Sequence, residues 1–209
     1  MNPVADLRYM DTALAMAWAQ LGRTSPNPAV GCVLVRDGQI IATGATADGG
    51  RPHAERQALD KAGPRASGCT AYVTLEPCAF HGQTPPCASG LIEAGIVRVV
   101  IATIDRHPKV SGRGVQMLED AGIAVETGLC ADRSDPLYAG FFNRLATGLP
   151  QVYIDDNSAI YDHTLSPQDA KDPRAHLAQL GARGFNRINI LNNITLDQSL
   201  KKLLDQQKQ

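Results

Sequence analysis

The chain has no long hydrophobic run. No stretch approaches the roughly 20 apolar residues of a membrane-spanning helix, and Met1 to Leu7 lacks the apolar centre of a secretory leader. No membrane partner is expected, and a soluble cytoplasmic protein is. An excess of either charge is also missing. Lys and Arg number 20 against 21 Asp and Glu, a formal net charge of -1, so there is no basic field for nucleic acid. Aromatic residues make up only 5%, and Trp18 is the sole tryptophan, which leaves little to stack against bases. The five cysteines, Cys32, Cys69, Cys78, Cys87 and Cys130, are odd in number and scattered, which argues against a disulfide framework. In a reducing compartment they stay thiols. What is present is a 44% hydrophobic content over 209 residues, enough for a substantial core.

Periodicity predicts the elements. Leu7, Met10, Leu14, Ala17 and Leu21 recur at helical spacing over about Val4 to Leu21. Val30 to Val35 and Gln39 to Thr43 flank Asp37-Gly38, a hairpin signal. His53 opens a helix that Gly63-Pro64 stops near Ala62. Thr70 to Leu75 is a strand, Cys87 opens a helix ending near Gly95, and Val97 to Thr103 is a strand buried on both faces. A helix around Gly114 to Ala121, a strand at Ile123 to Glu126 and a helix at Tyr138 to Leu145 complete the series. Alternating strands and helices imply a layered α/β domain with a partly parallel sheet. Gly148-Leu149-Pro150 reads as a boundary. Beyond it Asp, Asn and Gln increase, with short strands expected at Val152 to Ile154 and Ile188 to Leu191 and a helix at Leu196 to Leu204. Residues 150–209 are marginal as an independent domain.

The chemistry concentrates between His53 and Cys87. His53-Ala54-Glu55 is followed by Glu76-Pro77-Cys78 and then by Cys87. One imidazole and two thiols are three ligands for a zinc ion that prefers four, leaving one position for water. A carboxylate two residues from the histidine can move protons to and from that water. This H-x-E…P-C arrangement is that of zinc-dependent deaminases, in which water displaces an exocyclic amine from a ring carbon and ammonia leaves. His81 could instead complete a four-ligand structural site, but such a site has no use for Glu55. Cys32, Cys69 and Cys130 read as small structural residues.

Cys78 and Cys87 are separated by the long run Ala79-Phe80-His81-Gly82-Gln83-Thr84-Pro85-Pro86. That loop closely resembles the zinc loop of the riboflavin-biosynthesis pyrimidine deaminase/reductase family. Ser25-Pro26-Asn27-Pro28, Pro52-His53-Ala54-Glu55, Tyr72 to Glu76, Pro108-Lys109-Val110 and Gly112-Arg113-Gly114 agree with it in order and spacing, so the resemblance covers roughly Met10 to Leu149. It implies a cytidine-deaminase-like α/β/α domain with a mixed central sheet over residues 1–149. It also implies one zinc per chain, a homodimer or homotetramer, and a diamino-hydroxy-phosphoribosylamino-pyrimidine as the small-molecule heteroaromatic amine substrate. Carried over by position, His53, Cys78 and Cys87 would ligate zinc and Glu55 would shuttle protons. Asn27 would contact the pyrimidine, Asp105 would sit by the ribose, and Thr46, His81, Gln83 and His107 would also belong to substrate recognition.

The chain departs from the family in places. Thr46 stands where the family usually has histidine, Gln83 where it has arginine or lysine, and Arg106-His107-Pro108 where it has Pro-Asn-Pro. Losing the cation at 83 should weaken the hold on a phosphate or polar ring edge. A different ring, such as a pterin, purine or other pyrimidine metabolite, or a non-catalytic zinc-binding regulator, are the alternative readings. Pro150 to Asp162 and Gly184 to Asn193 faintly resemble parts of the family's reductase. Asn192-Asn193 replaces its glycines, and the intervening reductase core is absent. Residues 150–209 are therefore expected to be a shortened remnant without NADPH binding.

Overall fold

The computed structural model describes residues 3–82, 84–106, 111–166, 172–191, 201, 204 and 205. Helix α1 (Pro3–Trp18) leads into the hairpin of β1 (Gly31–Arg36) and β2 (Gln39–Ala45). Arg36 pairs with Gln39 across Asp37-Gly38, and both turn residues have positive φ, 52° and 74°. That is the mirror-image turn whose twist matches a hairpin, and glycine and aspartate tolerate it best. Then follow α2 (Ala54–Ala62), β3 (Thr70–Leu75), α3 (Cys87–Glu93), β4 (Arg98–Thr103), α4 (Arg113–Asp120), β5 (Ala124–Thr127) and α5 (Ala131–Thr147).

The five strands form one sheet in the order β2-β1-β3-β4-β5. β1 runs antiparallel to β2 and β3, while β3, β4 and β5 are parallel, so the sheet is mixed as expected. Helices α1 and α5 cover one face, and α2, α3 and α4 the other. The centre of β3 and β4 is almost wholly buried, which is why β4 reads as a continuous apolar run. One core holds Met10, Leu14, Val33, Leu34, Leu91, Val99, Val100, Ile101 and Tyr138. Cys32 and Cys69 lie buried within it, and Cys130 packs half-buried at its edge.

The helix spacing extends α1 too far. It ends at Trp18, and the chain turns from Ala19 onward. The final helix is longer than its apolar pattern: α5 starts at Ala131, and Pro136 stands inside it. Proline removes one backbone donor, so Asp-Arg-Ser-Asp-Pro resembles a polar loop in sequence. The first turns are instead held by Ser134 N–H to the Cys130 carbonyl (3.1 Å) and by a side-chain hydrogen bond between Thr103 and Ser134.

Residues 150–191 add a second, parallel sheet. Strands β6 (Gln151–Ile154), β7 (His163–Leu165) and β8 (Arg187–Ile190) lie in the order β6-β8-β7, with α6 (Pro173–Ala182) before β8. Its own small core includes Val152, Leu165, Leu177, Leu180, Ile188 and Ile190. The strand and helix β7 and α6 go beyond the sequence expectation, and the helix anticipated at Leu196 to Leu204 falls mostly outside the described residues. Asn189, fully buried on β8, donates to the Asp155 carbonyl (3.0 Å) and accepts from Thr164 Oγ1 (2.6 Å), linking all three strands. No helix among the described residues is long and apolar enough to cross a membrane.

Candidate active site

His53 caps the start of α2, and Glu55 sits in its first turn, 4% exposed. The helix reaches the sheet closely because residue 44 lacks a side chain. A Cβ on Gly44 would stand 2.0 Å from the Ala54 carbonyl oxygen. Cys78 follows β3 in a loop, and Cys87 is the first residue of α3. His53 Nδ1 lies 3.3 Å from Cys87 Sγ and 3.9 Å from Cys78 Sγ, and the three ligand atoms all lie within 4.8 Å of one another. Atoms on a tetrahedral zinc, at about 2.0–2.3 Å from the metal, are separated by roughly 3.5–3.8 Å. The donor set and its spacing fit zinc. His81 is exposed and outside this group.

The thiols share charge unequally. The Cys87 N–H donates to Cys78 Sγ at 3.2 Å. Hydrogen bonds from the Cys87 thiol, then from His53, bring Cys78 down to about 4 against the cost of burial. Cys87, donating to that thiolate and buried, is pushed far up. The neighbouring Cys78 also raises His53 above its ordinary value. Burial, reinforced by the Cys78 charge, pushes Glu55 up to about 7. A divalent cation on these three atoms has to displace the Cys87 proton, since thiolate is the ligand form.

Beside the cluster is a cavity of about 120 Å³. His53, Glu55 and Cys78 line it, and so do Asn27, Thr46 and Asp105, three of the residues expected at the substrate. Asn27 Nδ2 donates to the Gly50 carbonyl (2.8 Å) and lies 3.4 Å from His53 Nε2, on the side of the ring opposite the thiols. A metal-bound histidine is commonly oriented by a partner on its other nitrogen. Thr46 is buried, and its Oγ1 accepts from Val30 N–H (3.0 Å). His81 does not line the cavity, and Gln83 and His107 lie outside the described residues.

Glu76 is a functional residue to which sequence reasoning gave no role. Its buried carboxylate accepts four backbone N–H groups: Gly114 (2.8 Å) and Val115 (3.3 Å) on Oε1, Gly112 (3.1 Å) and Asp105 (3.2 Å) on Oε2. It joins the loop that carries Cys78 to the loop that carries Asp105, and it meets the orphan donors at the start of α4. Gly114 permits the approach, since a Cβ there would stand 2.1 Å from the Pro77 carbonyl. The only signal in the sequence is an acid directly after a buried strand.

The loop of Ser25 to Pro28, whose Asn27 and Pro28 line the cavity, is held from α5 and from Asn186. Arg144 on α5 donates from Nε to Asn186 Oδ1 (2.7 Å) and from its terminal nitrogen to the Pro26 carbonyl (2.9 Å). Asn186, itself buried, donates to Ser25 Oγ (3.3 Å). Asn27 is thereby flanked by anchored residues.

Residues 3–103 match the family model described as the cytidine and deoxycytidylate deaminase zinc-binding region. The chain is 50% identical over 149 residues to the riboflavin biosynthesis protein RibD of Haemophilus influenzae, covering 71% of this chain but 40% of that protein. It is 48% identical over 145 residues to the diaminohydroxyphosphoribosylamino-pyrimidine deaminase of Buchnera aphidicola from Acyrthosiphon pisum, covering 69% of this chain and 99% of the relative. Among solved structures, the deaminase/reductase of Thermotoga maritima superposes with a TM-score of 0.79 at 26% identity, covering 91% of this chain and 81% of the other. The chain thus spans less than half of the Haemophilus protein and nearly all of the Buchnera one. By these matches, and by the His-Glu-Cys-Cys geometry on a mixed α/β/α sheet, the chain belongs to the diaminohydroxyphosphoribosylamino-pyrimidine deaminase family.

Proposed function

We propose that this chain hydrolytically deaminates the riboflavin-pathway diamino-hydroxy-phosphoribosylamino-pyrimidine, releasing ammonia. The observation that carries the reading is a cavity lined by His53 and Cys78, two of the three ligand side chains grouped among the described residues, together with the buried carboxylate of Glu55. Zinc held by His53, Cys78 and Cys87, one per chain, would supply a Lewis acid that brings water to hydroxide near neutral pH. Glu55 takes one proton from the attacking water and passes it to a ring nitrogen, then takes the second from the hydroxyl now on the ring carbon and passes it to the departing amine. Its placement two residues beyond His53 keeps it beside the metal group without joining it. Asn27 orients the His53 ring and meets the pyrimidine, while Thr46 and Asp105 shape the cavity wall. Gln83 and His107 are proposed as further substrate contacts, and His81 as a rim residue.

The deaminase unit is assigned to residues 1–149. Support comes from the 145 matched residues that account for 99% of the Buchnera relative. Residues 150–209 are assigned a supporting role, without nicotinamide-cofactor binding. Near-neutral charge and scarce aromatics support a small-molecule partner over nucleic acid, and the protein is assigned to the cytoplasm. Val4, Leu7 and Trp18, exposed on one side of α1, support self-association as a homodimer or homotetramer, to be read by light scattering. The test of the activity is ammonia release from the phosphoribosylamino-pyrimidine by zinc-loaded protein, with Glu55→Gln alongside. Turnover lost by at least about a hundredfold in the variant, at unchanged zinc content, supports the reading. No turnover by the wild type, with one zinc bound per chain, would overturn it.

A further inference from the structure

We propose that Arg51 is the specificity residue that receives the phosphate of the substrate, an assignment that rests on the deaminase reading above. Three carboxylates, Glu55, Glu76 and Asp105, line the cavity. An anionic substrate entering such a site meets like charge unless a cation stands at the wall. Among the described residues, Arg51 is the only lysine or arginine in that lining.

Its surroundings leave the guanidinium available. The neighbouring arginines are engaged elsewhere. Arg23 pairs with Asp48 at 2.7 Å, Arg56 with Asp60 at 2.8 Å, and Arg106 with Asp135 at 3.2 Å while lying over the Phe142 ring. Arg51 forms no ion pair with any described carboxylate. One terminal nitrogen donates to Thr84 Oγ1 at 2.7 Å, and the other runs beside Gly82. A guanidinium carries five N–H donors in a planar fork, so one bond to a threonine leaves a face for bidentate contact with phosphate. The same bond holds the arginine against the loop between the two thiols, and Phe80 on that loop, 52% exposed, shares the cavity rim. The cation therefore stands at the mouth, away from Glu55 in the interior. That is where a phosphate on a ribose belongs when the ring is inside.

The experiment compares the pyrimidine phosphate with its dephosphorylated counterpart on zinc-loaded wild type, Arg51→Ala, Arg51→Lys and Thr84→Val. In Arg51→Ala the KM for the phosphate should rise roughly 10- to 100-fold with kcat little changed, so the kcat/KM ratio between the two substrates falls by that factor. Arg51→Lys should restore part of the ratio, and Thr84→Val should lose less than about tenfold of it. Calorimetric titration with ribose 5-phosphate supplies a readout independent of turnover, with binding by the wild type and none by Arg51→Ala expected. An equal loss on both substrates in Arg51→Ala would make Arg51 a loop brace only and overturn the assignment, as would a wild type that does not bind ribose 5-phosphate. A wild type that deaminates neither pyrimidine yet binds ribose 5-phosphate through Arg51 would sink the deaminase reading and leave this assignment standing.

Discussion

Glu76→Gln isolates a single carboxylate that organises two loops. The side chains have the same shape, but glutamine keeps only one acceptor oxygen and presents an amide NH2 donor in place of the other. Either Gly114 and Val115 or Gly112 and Asp105 then lose their acceptor, and the amide NH2, itself a donor, faces their N–H groups. A buried donor left unpaired costs about 1–3 kcal/mol, and the two share one site, so a total of about 2–4 kcal/mol is expected. For a chain of this size that is roughly 5–15 °C in Tm. The damage should reach the metal, because Cys78 is two residues away on the same loop. A second partner of a metal site typically changes affinity by about 10- to 100-fold. Thermal denaturation followed by circular dichroism reads the first effect, and competition with a chromogenic zinc chelator reads the second. A variant melting within about 2 °C of wild type, with unchanged zinc affinity, would refute the view that this carboxylate holds the two loops.

Three other outcomes follow from the geometry. Gly44→Ala puts a carbon 2.0 Å from the Ala54 carbonyl and 2.7 Å from Ala58 N, so α2 must retreat; a loss of about 1–3 kcal/mol and, from the shift of Glu55, about a hundredfold in kcat should appear in melting and ammonia-release assays. Asp6 is held by Arg98 through two hydrogen bonds, at 3.0 and 2.9 Å, and by Tyr72. The Arg98 hydrogen bonds bring its carboxyl below the ordinary value, so its contribution is present above about pH 4 and disappears as pH falls through the folded value. Wild type should thus exceed Asp6→Asn by about 2–3 kcal/mol in urea at pH 7, with the difference narrowing as pH falls below about 4; a constant difference would contradict this. Stripping zinc with a chelator should lower Tm, since a ligand at about 1,000 times its Kd contributes about 4 kcal/mol, and an unmoved Tm would mean that no tight site exists.

Much of the first 149 residues was legible because local physics sufficed. Asp37-Gly38 had to turn, β4 had to be buried on both faces, and the order and spacing of His53, Cys78 and Cys87 marked side chains whose ligand atoms the fold brings within 4.8 Å of one another. The illegible parts depend on distance in the chain. Glu76 acquires its role from amides 29 to 39 residues later, and Arg51 from Thr84, 33 residues away. Two tail elements were missed for different reasons. Strand β7 is three residues long, too short to show alternation. Helix α6 was signalled locally, by Asp172 capping Ala175 N–H ahead of Pro173, and its few apolar residues concealed it.

The clamp made by Arg144 and Asn186 bears on the order in which the site is completed. Ser25 and Asn186 are 161 residues apart, and Pro26 and Arg144 are 118 apart. A ribosome delivers Ser25 and Pro26 long before their fasteners Arg144 and Asn186. His53, Glu55, Cys78, Cys87 and the whole five-stranded sheet can assemble before Asn186 exists. Contacts of such long span close late in folding. Maturation of this protein would then have two stages, an early one that creates the chemistry and a late one that fixes the doorway to it.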